Sequence, residues 1–382
     1  MKKFCFYFSF LALVISFNVS NSIADKLPKN ISWTAYGTTS SGYAQSVGIG
    51  QMLKKNYGTD LRIIPGKNDV SRMVPLKAGQ AEICACGIAS LFAQEGVFMF
   101  ADKKWGPMKV YNMFNNIGRN GQTVATAADA NIKTMADLKG KRVTWVKGSP
   151  ALNGNMAGFL AFGGLTWDDV VKVEVSGYGA SANAVINGQA DASMGSSVSS
   201  IFNKTNASPR GLFFPPMPHN DEVSWKRAIA TAPHFAKAVV TNFVGSSDSN
   251  KSFEGMNYPY PIFVTLETTS KDLSYHLTEA VMNNYDQFKD SGPGMDGYQL
   301  SNQNFSWIFP YHPGAVKFYK KKGVWTSKHD KHNANLIKRQ DILAKAWQKT
   351  LKANLSGDAF KRKWLENRAS ALKAAGMPNA YN

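Results

Sequence analysis

The sequence predicts an α/β protein of two similar units in tandem, each an open sheet with helices on its faces. Three observations predict it. Strand-like and helix-like stretches alternate from Ile31 onward. The alternation stops after Ile117 and restarts at Thr123. A late strand at residues 262–265 reads as a return to the first unit.

The elements follow in order. Ile31, Trp33 and Ala35 alternate with Ser32 and Thr34, so 31–36 reads as a strand. The Gly37-Thr-Thr-Ser-Ser-Gly-Tyr43 turn leads into a helix over 44–56. Strand 61–64, helix 69–78 ended by Gly79, strand 81–86, helix 90–98 and strand 110–117 complete the first unit. The second unit opens with strand 123–128, a short helix at 135–139 and strand 142–146. Gly148-Ser-Pro-Ala-Leu-Asn153 opens a helix through Phe162, which Gly163 and Gly164 close. Strand 171–175, helix 180–187 stopped by Gly188, and strand 192–194 follow. Residues 213–218 are proline-rich and extended, and 228–240 reads as helix. Tyr258-Pro-Tyr-Pro261 leads into the return strand, a helix spans 273–288, and a final helical stretch covers about 334–372.

The first residues identify a compartment. Lys2 and Lys3 precede an apolar run over 4–17, and Ser22-Ile23-Ala24 places small residues at a cleavage site. That order makes residues 1–24 a secretory signal peptide. The mature chain is expected in the periplasm, and no later run is apolar enough to span a bilayer. The formal net charge is +18, and removal of Lys2 and Lys3 lowers it by two. Such a chain attracts anions. The lysines are densest after residue 317, with no aromatic-basic pattern beside them, so no nucleic acid is expected as a partner. Cys84 and Cys86 share one face of a strand and are expected as two buried thiols. No HExxH pattern occurs, His329 and His332 lie on a lysine-rich segment, and no metal or cofactor is expected. No catalytic residue is expected either: there is no G-x-S-x-G elbow, and Asp168 and Asp169, being adjacent, point apart.

The two helix-opening turns are the candidate site. Each aims backbone N–H groups and hydroxyls at the positive end of a helix. Thr39, Ser41, Gly42 and Tyr43 are expected to bind from the first unit, with Ser90 beside them. Ser149, Asn153 and Tyr178 are expected to bind from the second. If the units face each other, both turns meet at one cleft. Arg72, Arg119 and Lys147 are the cations nearest it in sequence. For a neutral solute the alternative is an aromatic pocket around Tyr36, Tyr43 and Tyr178.

Four segments carry a family likeness. They are the 37–43 turn; residues 68–87 with the run Leu76-Lys-Ala-Gly-Gln80; Ile132-Lys-Thr-Met-Ala-Asp-Leu-Lys-Gly-Lys-Arg-Val143 with Gly163-Gly-Leu-Thr-Trp-Asp-Asp169 and Asn187-Gly-Gln-Ala-Asp191; and Pro310-Tyr-His-Pro-Gly-Ala-Val-Lys-Phe-Tyr-Lys-Lys-Lys-Gly323. On these the chain resembles the TAXI-type solute receptors of TRAP transporters. The resemblance implies a type II periplasmic-binding-protein fold: two α/β lobes, a two-strand hinge and a solute held between them. It implies a monomer that delivers a small organic anion, such as a dicarboxylate, an oxo-acid or an acidic amino acid, to TRAP-type permease subunits. Lobe one is expected at 27–122 plus 257–325, lobe two at 123–256, and a C-terminal helical extension at 326–382. Two departures stand out. Relatives often have Gly-Ser-Gly-Thr where this chain has Gly148-Ser-Pro-Ala, and the extension is longer than the family needs. The alternatives are a receptor of an ATP-driven importer and a secreted α/β hydrolase.

Overall fold

A computed structural model describes residues 27–381. The signal peptide read over 1–24 lies outside the described residues. The strands are β1 (Asn30–Tyr36), β2 (Asp60–Gly66), β3 (Ile83–Cys86), β4 (Val110–Asn115), β5 (Gln122–Thr126), β6 (Arg142–Val146), β7 (Val171–Val175), β8 (Ala192–Ser196), β9 (Ala236–Val240), β10 (Phe253–Asn257) and β11 (Ile262–Leu266). The helices are α1 (Ser41–Tyr57), α2 (Asp69–Lys77), α3 (Ala89–Glu95), α4 (Pro150–Phe162), α5 (Tyr178–Ile186), α6 (Ser200–Ala207), α7 (Glu222–Thr231), α8 (Lys271–Asn283), α9 (Tyr285–Phe288), α10 (Pro313–Lys321), α11 (Ser327–Leu351) and α12 (Gly357–Ala374).

Two sheets result. The first has the order β2-β1-β3-β11-β4, and the second β7-β6-β8-β5-β10-β9. In the first, β2, β1 and β3 run parallel, and the late strand β11 inserts antiparallel between β3 and β4. In the second, β6 lies parallel to β7 and β8, and β5 closes against β8 in the antiparallel sense. The chain passes from one sheet to the other over 116–121 and returns over 258–261. The two passages hold each other: Asn116 N–H donates to Pro261 O at 3.0 Å, and Tyr260 N–H donates to Asn116 O at 2.8 Å. This is the type II periplasmic-binding-protein fold, two α/β lobes joined by two crossings.

Local chemistry sets the elements that shape the cleft. The Ser40 side chain accepts the Tyr43 N–H and starts α1, and Gly58, at φ 65°, ends it. Asn68 and Ser71 form a reciprocal capping box at the start of α2. In β3 the side chains alternate. Ile83 and Ala85 join the core of α1, α8 and α10 behind the first sheet, while Cys84 and Cys86 join the core that continues into the second lobe. The expectation of two free thiols is corrected: Cys84 and Cys86 form a disulfide. The strand puts both on one face with their Cα atoms 5.1 Å apart, within bonding reach.

Two other expectations are corrected. The helix read over 228–240 ends at Thr231, and Ala236–Val240 is strand β9, paired with β10. Pro233 denies that stretch a helical N–H, and the pairing to β10 is a contact no local pattern announces. The single stretch at 334–372 is two helices, divided where Asn354 takes φ 51°.

Helices α11 and α12 pack on the first lobe. The Trp347 and Trp364 rings meet at 4.9 Å, and the Trp364 indole N–H donates to Gly96 O at 2.5 Å. Glu95, buried at the end of α3, is the polar centre of this contact. Arg339 donates to both of its oxygens at 2.7 Å, and Arg368 donates to Oε2 at 2.6 Å. Burial opposes the Glu95 charge, but the bonds and charges of Arg339 and Arg368 outweigh it and hold the carboxyl below the usual range. Glu95→Ala leaves two guanidiniums without their counter-ion, one of them fully buried. It should destabilise the protein by about 3–5 kcal/mol. Urea unfolding checks this, and a loss below 1 kcal/mol would show that water replaces the carboxylate.

Candidate functional site

The cleft between the lobes is built on Asp69, in the first turn of α2. Its Oδ1 accepts Tyr36 O–H at 2.5 Å and Arg72 Nη2 at 2.7 Å. Its Oδ2 accepts the Ala151 N–H at 2.8 Å, from the first turn of α4 in the other lobe. The N-cap residue of α4, Ser149, makes no side-chain capping bond, and the first lobe's carboxylate serves the α4 N-terminus. Ser149 Oγ lies 3.0 Å from Tyr36 Oη, beside that bond.

Arg72 is buried, its guanidinium 3.5 Å above the centre of the Tyr36 ring. Nη1 donates to Ala85 O at 3.2 Å, and Nε has no partner. Burial works against its charge, but the Asp69 carboxylate beside it more than restores it. The inner cavity is walled by Tyr36, Arg72, Gly87, Gln122, Tyr178, Ser199, Tyr258 and Tyr260 among others. It offers about 20 Å³ to the centre of a water molecule, room for one water. Burial raises all four phenols, Tyr260 to about 12, so the rings are neutral donors. The buried Nε of Arg72, Nε2 of Gln122 and hydroxyl of Tyr178 have no hydrogen-bond partner of good geometry.

On the other side of Tyr178 an outer groove of about 460 Å³ runs along Gly37, Thr39, Gly66, Lys67 and Gly177. The lobes meet directly along it. Val70 N–H donates to Gly148 O at 3.2 Å, Tyr178 N–H to Lys67 O at 2.9 Å, and Ile201 N–H to Thr39 O at 3.4 Å. Two glycines allow the approach. A Cβ on Gly148, which also takes φ +72°, would lie 2.6 Å from Asn68 Nδ2, and one on Gly177 would lie 2.8 Å from Lys67 O.

The residues expected from sequence are placed as follows. Tyr178 walls both the cavity and the groove, and its ring stacks on Tyr36 at 5.5 Å. Ser149 belongs to the Tyr36–Asp69 network. Thr39 lines the outer groove. Ser41 is buried with an unpartnered hydroxyl, and a Cβ on Gly42 would lie 3.4 Å from Tyr260 Oη. Of the eight, Tyr178 alone lines the inner cavity, and Tyr43, Ser90 and Asn153 are committed to other contacts. Tyr43 packs on the core behind the first sheet. Ser90 donates to Gly87 O at 2.6 Å. Asn153 uses its amide on both backbone groups of Val146, at 2.9 and 3.0 Å. Of the cations, Arg72 lines the cavity, whereas Arg119 pairs with Asp296 and Lys147 with Glu174 at the surface.

Asp69, Gln122, Asn155, Tyr258 and Tyr260 were not expected in the site. The available signal was the third helix-opening turn, at Asn68, and the pair of tyrosines on the return crossing. Asn155 donates to Tyr258 Oη at 2.8 Å and lies 2.7 Å from His234 Nε2. Burial lowers His234 to about 3, which keeps the imidazole neutral.

A family model described as the NMT1-like family matches residues 34–323. The chain belongs to the NMT1-like family. The family lies within the type II periplasmic-binding-protein superfamily, and this NMT1-like chain is accordingly a solute-binding protein. No curated protein matches it. Among solved structures, it is similar to the alkanesulfonate-binding protein SsuA from Xanthomonas axonopodis pv. citri bound to MOPS, at 15% identity over 84% of this chain and 92% of that one, TM-score 0.40. It is also similar to an amino acid transporter substrate-binding protein of Streptococcus pneumoniae bound to L-arginine, at 12% identity over 69% and 96%, TM-score 0.42. A third is a glutathione-import protein of Streptococcus mutans, at 14% identity over 72% and 98%, TM-score 0.45.

Gly177 tests the closure. Its φ of 179° suits any residue, so Gly177→Ala adds only the clash with Lys67. The variant should hold the lobes apart and raise the radius of gyration in X-ray scattering. Gly37→Ala, with open space around it, should not. Identical scattering from Gly177→Ala and wild type would mean that the Lys67 segment yields.

Proposed function

We propose that this protein is an exported, monomeric receptor that captures a small organic anion between its lobes and presents it to a membrane permease. One observation carries the reading. The unpartnered polar groups named on the cavity wall, Arg72 Nε, Gln122 Nε2 and the Tyr178 hydroxyl, can all donate. A buried donor left unsatisfied is unfavourable, so the complementary solute brings oxygen acceptors. A carboxylate fits best, because Arg72 adds a charge-assisted bond. The tyrosine rings supply apolar walls for its body.

Lobe one is proposed as 27–122 plus 257–325 and lobe two as 123–256, rotating about 116–121 and 258–261. Rotation is required, since the closed cavity has room for one water. Among the described residues no helix is long and apolar enough to cross a membrane. The binding set on this reading is Arg72, Gln122, Tyr178, Tyr258 and Tyr260, with Tyr36, Asp69 and Ser149 holding Arg72 and the α4 turn in place.

A thermal-shift screen over organic acids should find a solute that raises the melting temperature. Gln122→Ala should then weaken that solute by about 1–3 kcal/mol in calorimetry, with the fold intact. If only cations or apolar molecules bind, the anion reading fails.

The Pro310–Gly323 string supports a TRAP-type partner. Uptake reconstituted with the permease should follow an ion gradient. Dependence on ATP hydrolysis would instead assign the receptor to an ATP-driven importer.

A further inference from the structure

Residues 377–381 lie beyond the range of the family model and touch both lobes. The two guanidiniums that neutralise Glu95 also hold this segment. Arg339 Nη1 donates to Pro378 O at 2.9 Å, Arg368 Nη2 to Ala380 O at 2.9 Å, and Arg368 Nη1 to Asn379 Oδ1 at 2.6 Å. The segment is thereby fixed to the first lobe through two backbone carbonyls and the Asn379 side chain.

Its end reaches the second lobe. The Tyr381 ring sits 5.0 Å from Phe92 and 6.2 Å from Phe98, both of the first lobe. The Tyr381 hydroxyl lies 3.1 Å from His234 Nδ1, between α7 and β9 of the second. A neutral imidazole has one donor and one acceptor. Nε2–H donates to Asn155 Oδ1, so Nδ1 accepts the Tyr381 proton. Asn155 in turn bonds Tyr258 on the return crossing. Cavities of about 310 and 460 Å³ flank the segment, one lined by Leu91, Leu336 and Met377 and the other by Phe98, Gly154 and Ala157. A segment that completed a core would leave no such space. This one spans a groove.

We propose that residues 377–381 form a strap that holds the lobes against each other and favours the closed cleft. The strap acts on the unliganded protein and does not depend on which solute binds.

Hydrogen exchange tests it on the full chain, on a variant ending at Gly376, and on Tyr381→Ala and Tyr381→Phe. The reporters are the Val70 and Tyr178 amides, which donate across the cleft. The controls are amides inside β1 and β6. In the shortened chain and in Tyr381→Ala, the cleft amides should exchange about tenfold faster while the strand amides stay unchanged. Tyr381→Phe, which keeps the ring contacts and loses the bond to His234, should fall between. Unchanged cleft amides in Tyr381→Ala would overturn the strap. Equal acceleration of strand and cleft amides would also overturn it, because the segment would then stabilise the fold as a whole.

Discussion

The cleft depends on one carboxylate. Asp69 is buried in the first lobe, and one of its oxygens accepts the Ala151 N–H at the start of a helix in the second. A buried carboxylate is strongly unfavourable unless its lone pairs are used. Tyr36, Arg72 and Ala151 use them. On the proposed rotation, parting the lobes would take the Ala151 donor and the α4 dipole from Asp69 and return it to water. The exchange is close to balanced, because a protein hydrogen bond replaces a solvent one at a net gain of about 1.5–3 kcal/mol for a charged acceptor. A lobe equilibrium of that size is one that modest binding energy shifts.

The same carboxylate shapes what the site selects. The α4 N-terminus, which by itself would attract a solute anion, is served by the protein's own Asp69. The Asp69–Arg72 pair is neutral as a unit. On the proposed reading, selectivity for an anion rests on directed donors rather than on local net charge. The excess of lysine and arginine acts at long range, on encounter. The two effects are separable, since salt screens the distant field more than the buried bond.

Much of the fold was legible in the sequence. Strand β6 and strand β7 stood out at their full lengths because short valine-rich stretches, strictly alternating in β7, ended at Gly148 and at the Ser176-Gly177 turn. Helix α4 stood out because Pro150 and the Gly163-Gly164 pair bracket it. Strands β9 and β10 did not, since their stability comes from pairing with each other. The site was less legible. Local turns pointed to Ser149 and Tyr178, both of which reach the cavity or its network. Tyr258 and Tyr260 arrive from the return crossing, and Gln122 from the start of β5, so only tertiary structure brings them to Arg72. Asn153 misled because an asparagine just inside a helix reads as a free amide. Here the neighbouring strand end, Val146, takes both halves of it.

Glu95 repeats the logic of Asp69 one helix further on. It sits at the C-terminal end of α3, where the helix dipole opposes a negative charge. Two arginines from α11 and α12 offset that, and their other N–H groups reach outward to the carbonyls of Pro378 and Ala380 and to the Asn379 side chain. In both places a buried carboxylate of the first lobe is neutralised on its own side and linked to a group that meets the second. Asp69 makes that link directly through Ala151, at the mouth of the cavity. Glu95 makes it through its arginines and the segment carrying Tyr381, on the far flank of α4, where Phe92 and His234 stand. Helix α4 is thus held at its first turn by one carboxylate and along its side by the other.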